Sequence, residues 1–287
     1  MNGDNREGVG VSDAEANRVA VFPDSTVERA ISVRRDAGSG ALIGYLPVGF
    51  PNLETSIEAA ITLARAGFDV IELGLPYSDP VMDGPVIQAA TLRARENGFR
   101  LADGFTAVRE IRAEVDVPVV MMTYWNPVMQ YGVDRFADDL TAVGGAGLIT
   151  PDLIPDEGAD WLSASERTGL DRIFLAAPSS TDTRLLQAVE KSRGFVYAVS
   201  TMGVTGTRND VDGAAETLVS RLRKQANQRQ SGTAYSCVGL GISRPEHVSQ
   251  ILSYADGAIV GSALVRALSE GGISELSDVA ASLSAAH

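Results

Sequence analysis

Glu72 stands inside an apolar run, Val70-Ile71-Glu72-Leu73, and an acid in that setting is the first candidate for chemistry in this chain. Side chains alternate along a strand, so Glu72 faces away from Ile71 and Leu73, toward the interior that the strand lines. Desolvation there raises a carboxyl pKa and makes the group a proton shuttle near neutrality. A buried ion pair with an arginine is the competing reading. Asp83 follows in Met82-Asp83-Gly84-Pro85, where a second working carboxylate and an ordinary Asx turn or helix cap fit equally well. Asp79, between Ser78 and Pro80, reads as an exposed loop residue.

Scarcity excludes much else. The only lysines, Lys191 and Lys224, fall near the ends of predicted helices, away from the strand C-termini where a Schiff-base lysine of a barrel would sit. Two distant histidines, His247 and His287, and one cysteine, Cys237, supply neither a zinc site nor an intramolecular disulfide, and no metal site is expected. No G-x-S-x-G is present, and Gly239-Leu240-Gly241 is an incomplete dinucleotide fingerprint. Carboxylate and tyrosine acid–base chemistry remains.

The elements that must position these groups alternate along the chain. Apolar runs predict strands at Ala41–Val48, Val70–Leu73, Val117–Met122, Gly147–Ile149, Arg172–Ala176, Phe195–Val199, Ala234–Gly239 and Gly257–Val260. Helical periodicity fills the gaps, with Ile57, Ile61 and Ala64 on one face and Phe105, Val108 and Ile111 on another. Ser243-Arg244-Pro245-Glu246 has the spacing of a capping box. Val27–Arg35 adds a short helix ahead of the first strand. The pattern predicts an α/β fold, a (β/α)8 TIM barrel with an extra N-terminal helix; an open doubly wound sheet is the alternative. Residues 1–22 are expected to form a flexible N-terminal arm, and 23–287 a single barrel domain.

The 287 residues carry a formal charge of −13, which disfavours nucleic acid and anionic membranes as partners. No apolar stretch is long enough to span a bilayer and no secretory signal is visible, so a soluble cytoplasmic protein is expected.

Glycines cluster after the last three strands: Gly203 and Gly206, Gly239 and Gly241, then Gly261-Ser262. Late βα loops and a helix N-terminus bind phosphate on barrels through backbone N–H groups, without a basic residue. Tyr45, Met122, Tyr124, Ile149, Leu175 and Tyr197 lie at or near strand ends, where they read as plain core or as the wall of a flat apolar pocket for an aromatic group.

Four segments resemble one known family. ELGLPYSDPVMDGPVIQ (Glu72–Gln88), YAVSTMGVTG (Tyr197–Gly206), GLGIS (Gly239–Ser243) and VGSALV (Val260–Val265) are similar, in order, to the tryptophan synthase α chain. The resemblance implies cleavage of indole-3-glycerol phosphate to indole and glyceraldehyde 3-phosphate in tryptophan biosynthesis. It also implies a β-chain partner in an α2β2 assembly; the pyridoxal phosphate belongs to that partner, with no cofactor in this chain. Carried over by position, Glu72 and Asp83 match the family's catalytic carboxylates, and Tyr197 the tyrosine near the scissile bond. Gly206, Gly241, Gly261 and Ser262 match its phosphate binders, and Thr205 the threonine of its closing loop. Tyr45, Met122 and Leu240 stand where well-known bacterial members carry Phe, Leu and Phe. The loop Pro76–Asp83 is expected to complete the site and to touch the β chain through Pro76 and Asp79. Two other readings are a phosphosugar isomerase or epimerase on the same kind of barrel, and a silent barrel that only binds.

Overall fold

The computed structural model describes residues 25–199, 208–239 and 241–287. The arm expected over residues 1–22 lies outside them. Among the described residues, eight parallel strands form one sheet: β1 (Ala41–Pro47), β2 (Val70–Gly74), β3 (Val119–Met122), β4 (Gly147–Ile149), β5, β6 (Val196–Val199), β7 (Ser236–Gly239) and β8 (Gly257–Val260). β5 comes in two pieces, Asp171–Ile173 and Leu175–Ala176. β4 pairs with the first piece and β6 with the second. Only Phe174 separates them. Its N–H turns aside to Ser192 Oγ at 3.2 Å, while its carbonyl accepts from Tyr197 N at 3.0 Å. One strand thus joins both edges, β1 pairs with both β2 and β8, and the sheet closes into a barrel. The open-sheet alternative is excluded.

Helices surround the barrel. α2 (Leu53–Arg65) follows β1, and α3 (Pro85–Glu96) and α4 (Leu101–Glu114) together follow β2. α5 (Trp125–Tyr131) and α6 (Val133–Ala142) follow β3, and α7 (Ala159–Thr168), α8 (Asp182–Lys191), α9 (Arg208–Ala226), α10 (Pro245–Leu252) and α11 (Ser262–Ser284) complete the ring. Strand alternation separates two apolar layers. Ile71 and Leu73 pack outward with Val108, Ile111 and Trp161, whereas Val70, Val120, Ile149, Ile173 and Ile259 fill the interior.

The helix ahead of β1, α1 (Thr26–Asp36), closes the floor of that interior with Val27 and Ile31. Ser25 fixes it in place: its hydroxyl accepts from Glu28 N at 3.0 Å and donates to buried Asp171 at 2.7 Å. A plugged floor leaves the opposite end, the C-terminal ends of the strands, for a site. One local expectation fails. α10 is capped by Arg244 and not by Ser243, because Pro245 occupies the first helical position and sets the start one residue later.

Candidate active site

Glu72 lies on β2 facing the barrel interior, with no exposed surface. Neither of its carboxyl oxygens has a hydrogen-bond partner among the described residues, so the arginine ion pair that would make it structural is not formed. Burial, reinforced by the negative charge of Asp83, pushes its pKa up to about 8.

Asp83 ends the loop that leaves β2. It is not a helix cap: α3 is capped by Gly84 with no side-chain bond. Its N–H closes a turn onto Pro80 O at 3.1 Å, and its carbonyl accepts from Gln88 Nε2 at 2.8 Å. The backbone is therefore held at both groups, and the carboxylate lies close enough to Glu72 and Tyr45 for its charge to act on both. Burial lifts that carboxyl to about 6. Both carboxyls are thus raised by burial toward neutrality, the range in which a group can give or take a proton.

Tyr124 anchors the same loop. Its hydroxyl accepts from Met82 N at 2.9 Å, and its ring stacks on Tyr77 with centroids 5.0 Å apart. Burial pushes its phenol up to about 12, so it stays neutral as that acceptor. Pro76 is buried within the chain, whereas Asp79 is exposed and accepts from Ser78 Oγ at 2.6 Å. The loop's apolar surface comes instead from Val81, 80% exposed, and Met82, 48%.

Tyr45 sits directly opposite Glu72 in the β1–β2 register. Burial raises its phenol well above the ordinary value, and the charges of Asp83 and Glu72 add to the effect. Tyr197 is raised likewise, by burial and then by Glu72. Both phenols are thus neutral neighbours of the carboxylates. Each needs a glycine beside it. A Cβ on Gly74 would collide with the Tyr45 hydroxyl, and one on Gly239 with the Tyr197 hydroxyl. Gly239, the last residue of its strand, thus makes room for an aromatic. Met122, Ile149 and Leu175 continue the wall: Met122 is the register partner of Gly74 and Ile149, and Leu175 that of Tyr197.

Gly261 is the N-cap of α11 and Ser262 its first residue. The first-turn N–H groups of a helix lack intrahelical acceptors and suit an anion. A Cβ built on Gly261 would lie 3.3 Å from the Tyr45 ring, which places this helix start beside the aromatic wall. Gly241 is exposed and has φ +21°. Thr205, Gly206 and Leu240 lie outside the described residues, as does Gly203. Among the described residues no group of three or more His, Cys, Asp or Glu converges to hold a metal ion, and no helix is long and apolar enough to cross a membrane. Missing from the sequence reading were Gly74 and the backbone of Met82, whose roles depend on partners from other strands and loops.

A closed parallel barrel with two neighbouring carboxylates near its strand C-termini, beside a helix N-terminus, is a (β/α)8 barrel with a candidate acid–base site. The comparisons with known proteins narrow this. A family model described as "Tryptophan synthase alpha chain" matches residues 31–286. The tryptophan synthase alpha chain of Leifsonia xyli subsp. xyli is 68% identical over 259 residues, covering 90% of this chain and 97% of that protein. That of Mycobacterium avium is 57% identical over 242 residues, covering 84% and 87%. A solved structure of Mycobacterium tuberculosis tryptophan synthase superposes with TM-score 0.84 at 50% identity, covering 91% of this chain and 98% of that one. The Pyrococcus furiosus A-subunit superposes with TM-score 0.77 at 34% identity, covering 85% and 98%. The chain belongs to the tryptophan synthase alpha chain family, whose members are lyases of tryptophan biosynthesis.

Proposed function

We propose that this chain cleaves indole-3-glycerol phosphate to indole and glyceraldehyde 3-phosphate, with Glu72 and Asp83 as its working carboxylates. The observation that carries the reading is Glu72, fully buried in the barrel interior with both carboxyl oxygens unpartnered among the described residues, and Asp83 close enough for its charge to help raise the Glu72 pKa. At neutral pH Glu72 holds a proton and Asp83 a charge.

Glu72 donates its proton to indole C3, which turns the ring into an electron sink. Asp83 accepts the hydrogen bond of the ring N–H, and this bond strengthens as positive charge develops on the indole. The Glu72 carboxylate then takes the proton of the hydroxyl on the adjacent carbon. The bond from C3 to that carbon breaks, its electron pair returns to the ring, and the carbon becomes the aldehyde. Glu72 ends as it began, protonated. Neither an imine nor a metal is required.

Tyr197 flanks the scissile bond, while Tyr45, Met122, Tyr124, Ile149, Leu175 and Leu240 wall the indole. Gly206, Gly241, Gly261 and Ser262 receive the phosphate through backbone N–H groups, with Thr205 on the closing loop. The partner is a β chain in an α2β2 assembly; it carries the pyridoxal phosphate and meets the β2–α3 loop at Asp79, beside exposed Val81 and Met82. The complex works in the cytoplasm. The experiment is to incubate the chain with indole-3-glycerol phosphate, alone and with a β chain, and to follow indole. Release that rises with the β chain supports the reading; no release under either condition defeats it.

A further inference from the structure

A second cavity, of about 390 Å3, opens on the outside of the barrel between the start of the β2–α3 loop, the end of α3 and the starts of α4 and α5. It contains none of the residues assigned to the reaction. Leu75, Pro76, Phe99, Leu101 and Pro127 give it an apolar body. Two polar groups break that lining. Thr123 is 2% exposed, and its hydroxyl has no hydrogen-bond partner among the described residues, an arrangement that costs stability unless something compensates. Arg95, in the last turn of α3, brings an exposed guanidinium to the cavity wall.

We propose that this cavity binds a small carboxylate with an apolar body. Its volume falls in the range of small-molecule sites. A guanidinium favours a carboxylate over a neutral group through two parallel charge-assisted bonds. The proline and aromatic walls suit a flat or branched hydrocarbon. Occupancy would also be felt at the site already described. Pro76 begins the loop that ends at Asp83, and Thr123 directly precedes Tyr124, which holds Met82 of that loop. The binding claim stands apart from the proposed reaction, since its readout needs no turnover.

The full chain is titrated with 3-phenylpropionate and, separately, with the uncharged 3-phenylpropionamide. Trp125, two residues from Pro127, supplies a fluorescence signal, assigned by its loss in Trp125→Phe; calorimetry supplies a second readout. The expected result is saturable one-to-one binding of the acid, with Kd on the order of 1 mM. The amide should bind ~10-fold more weakly, and Arg95→Ala should weaken the acid to about the amide's level. Saturating glycerol 3-phosphate, which occupies the barrel mouth, should leave the acid bound. Because Arg95 is exposed, its replacement keeps the fold, and an unchanged melting curve verifies that. No saturable binding by about 10 mM, binding indifferent to Arg95→Ala, or displacement by glycerol 3-phosphate would each overturn the proposal.

Discussion

Glu72→Gln should stabilise this protein, and more so as pH rises. The unperturbed carboxyl value is 4.5 and the folded one about 8, so between those limits the folded state holds a proton that the unfolded state has released. Unfolding stability therefore falls as pH increases through this window. At 1.36 kcal/mol per pKa unit, the cost of keeping Glu72 un-ionised grows by about 3 kcal/mol between pH 5 and pH 8. Full burial means little of that is lost to solvent screening. Glutamine has nearly the same shape, is equally short of hydrogen-bond partners there, and does not titrate. Equilibrium urea unfolding, followed by circular dichroism at pH 5, 6, 7 and 8, should show wild type losing ground to the variant by about 3 kcal/mol across the series. Buried Asp171, also raised to about 7, titrates in both proteins and cancels in the difference. Parallel pH curves for the two would refute the desolvation of Glu72.

Three further outcomes follow from the same geometry. In the free enzyme, kcat/KM should fall below about pH 6 as Asp83 takes a proton and above about pH 8 as Glu72 loses one; a flat pH profile across both limbs would contradict the assignment. Tyr124→Phe removes the hydroxyl that accepts from Met82 N, so turnover should drop ~2–10-fold with stability little changed, measured by steady-state kinetics beside thermal melts. Gly261→Val blocks close approach to the α11 N-terminus and touches the Tyr45 ring; calorimetry should show a much larger loss of glycerol 3-phosphate binding than of free indole binding, and equal losses would indicate general damage to the barrel mouth.

The strands stand out in the sequence because strands covered on both faces appear as short apolar runs punctuated by glycine and proline. Val117–Met122 and Arg172–Ala176 nearly coincide with β3 and β5 for that reason. Glu72 is visible by contrast, as the lone charge in such a run. Asp83 is not: its immediate neighbours describe only a turn, and its raised pKa comes from burial within a loop anchored by Tyr124, distant in sequence. The same holds for Gly74 and Gly239. Their need to be glycine arises from tyrosines on the adjacent strands, a lateral relation that register sets and local sequence does not display. The short helix before β1 is readable as a helix from its own periodicity. Its role as the barrel floor depends on Ser25 reaching Asp171 across the fold.

The central claim is that Glu72 moves the protons, and turnover of Glu72→Gln measured beside substrate affinity tests it most directly. Indole release from indole-3-glycerol phosphate should fall by about 10²–10⁴-fold or more while the substrate still binds with near wild-type affinity. Indole release at close to the wild-type rate from a folded Gln variant would contradict the account.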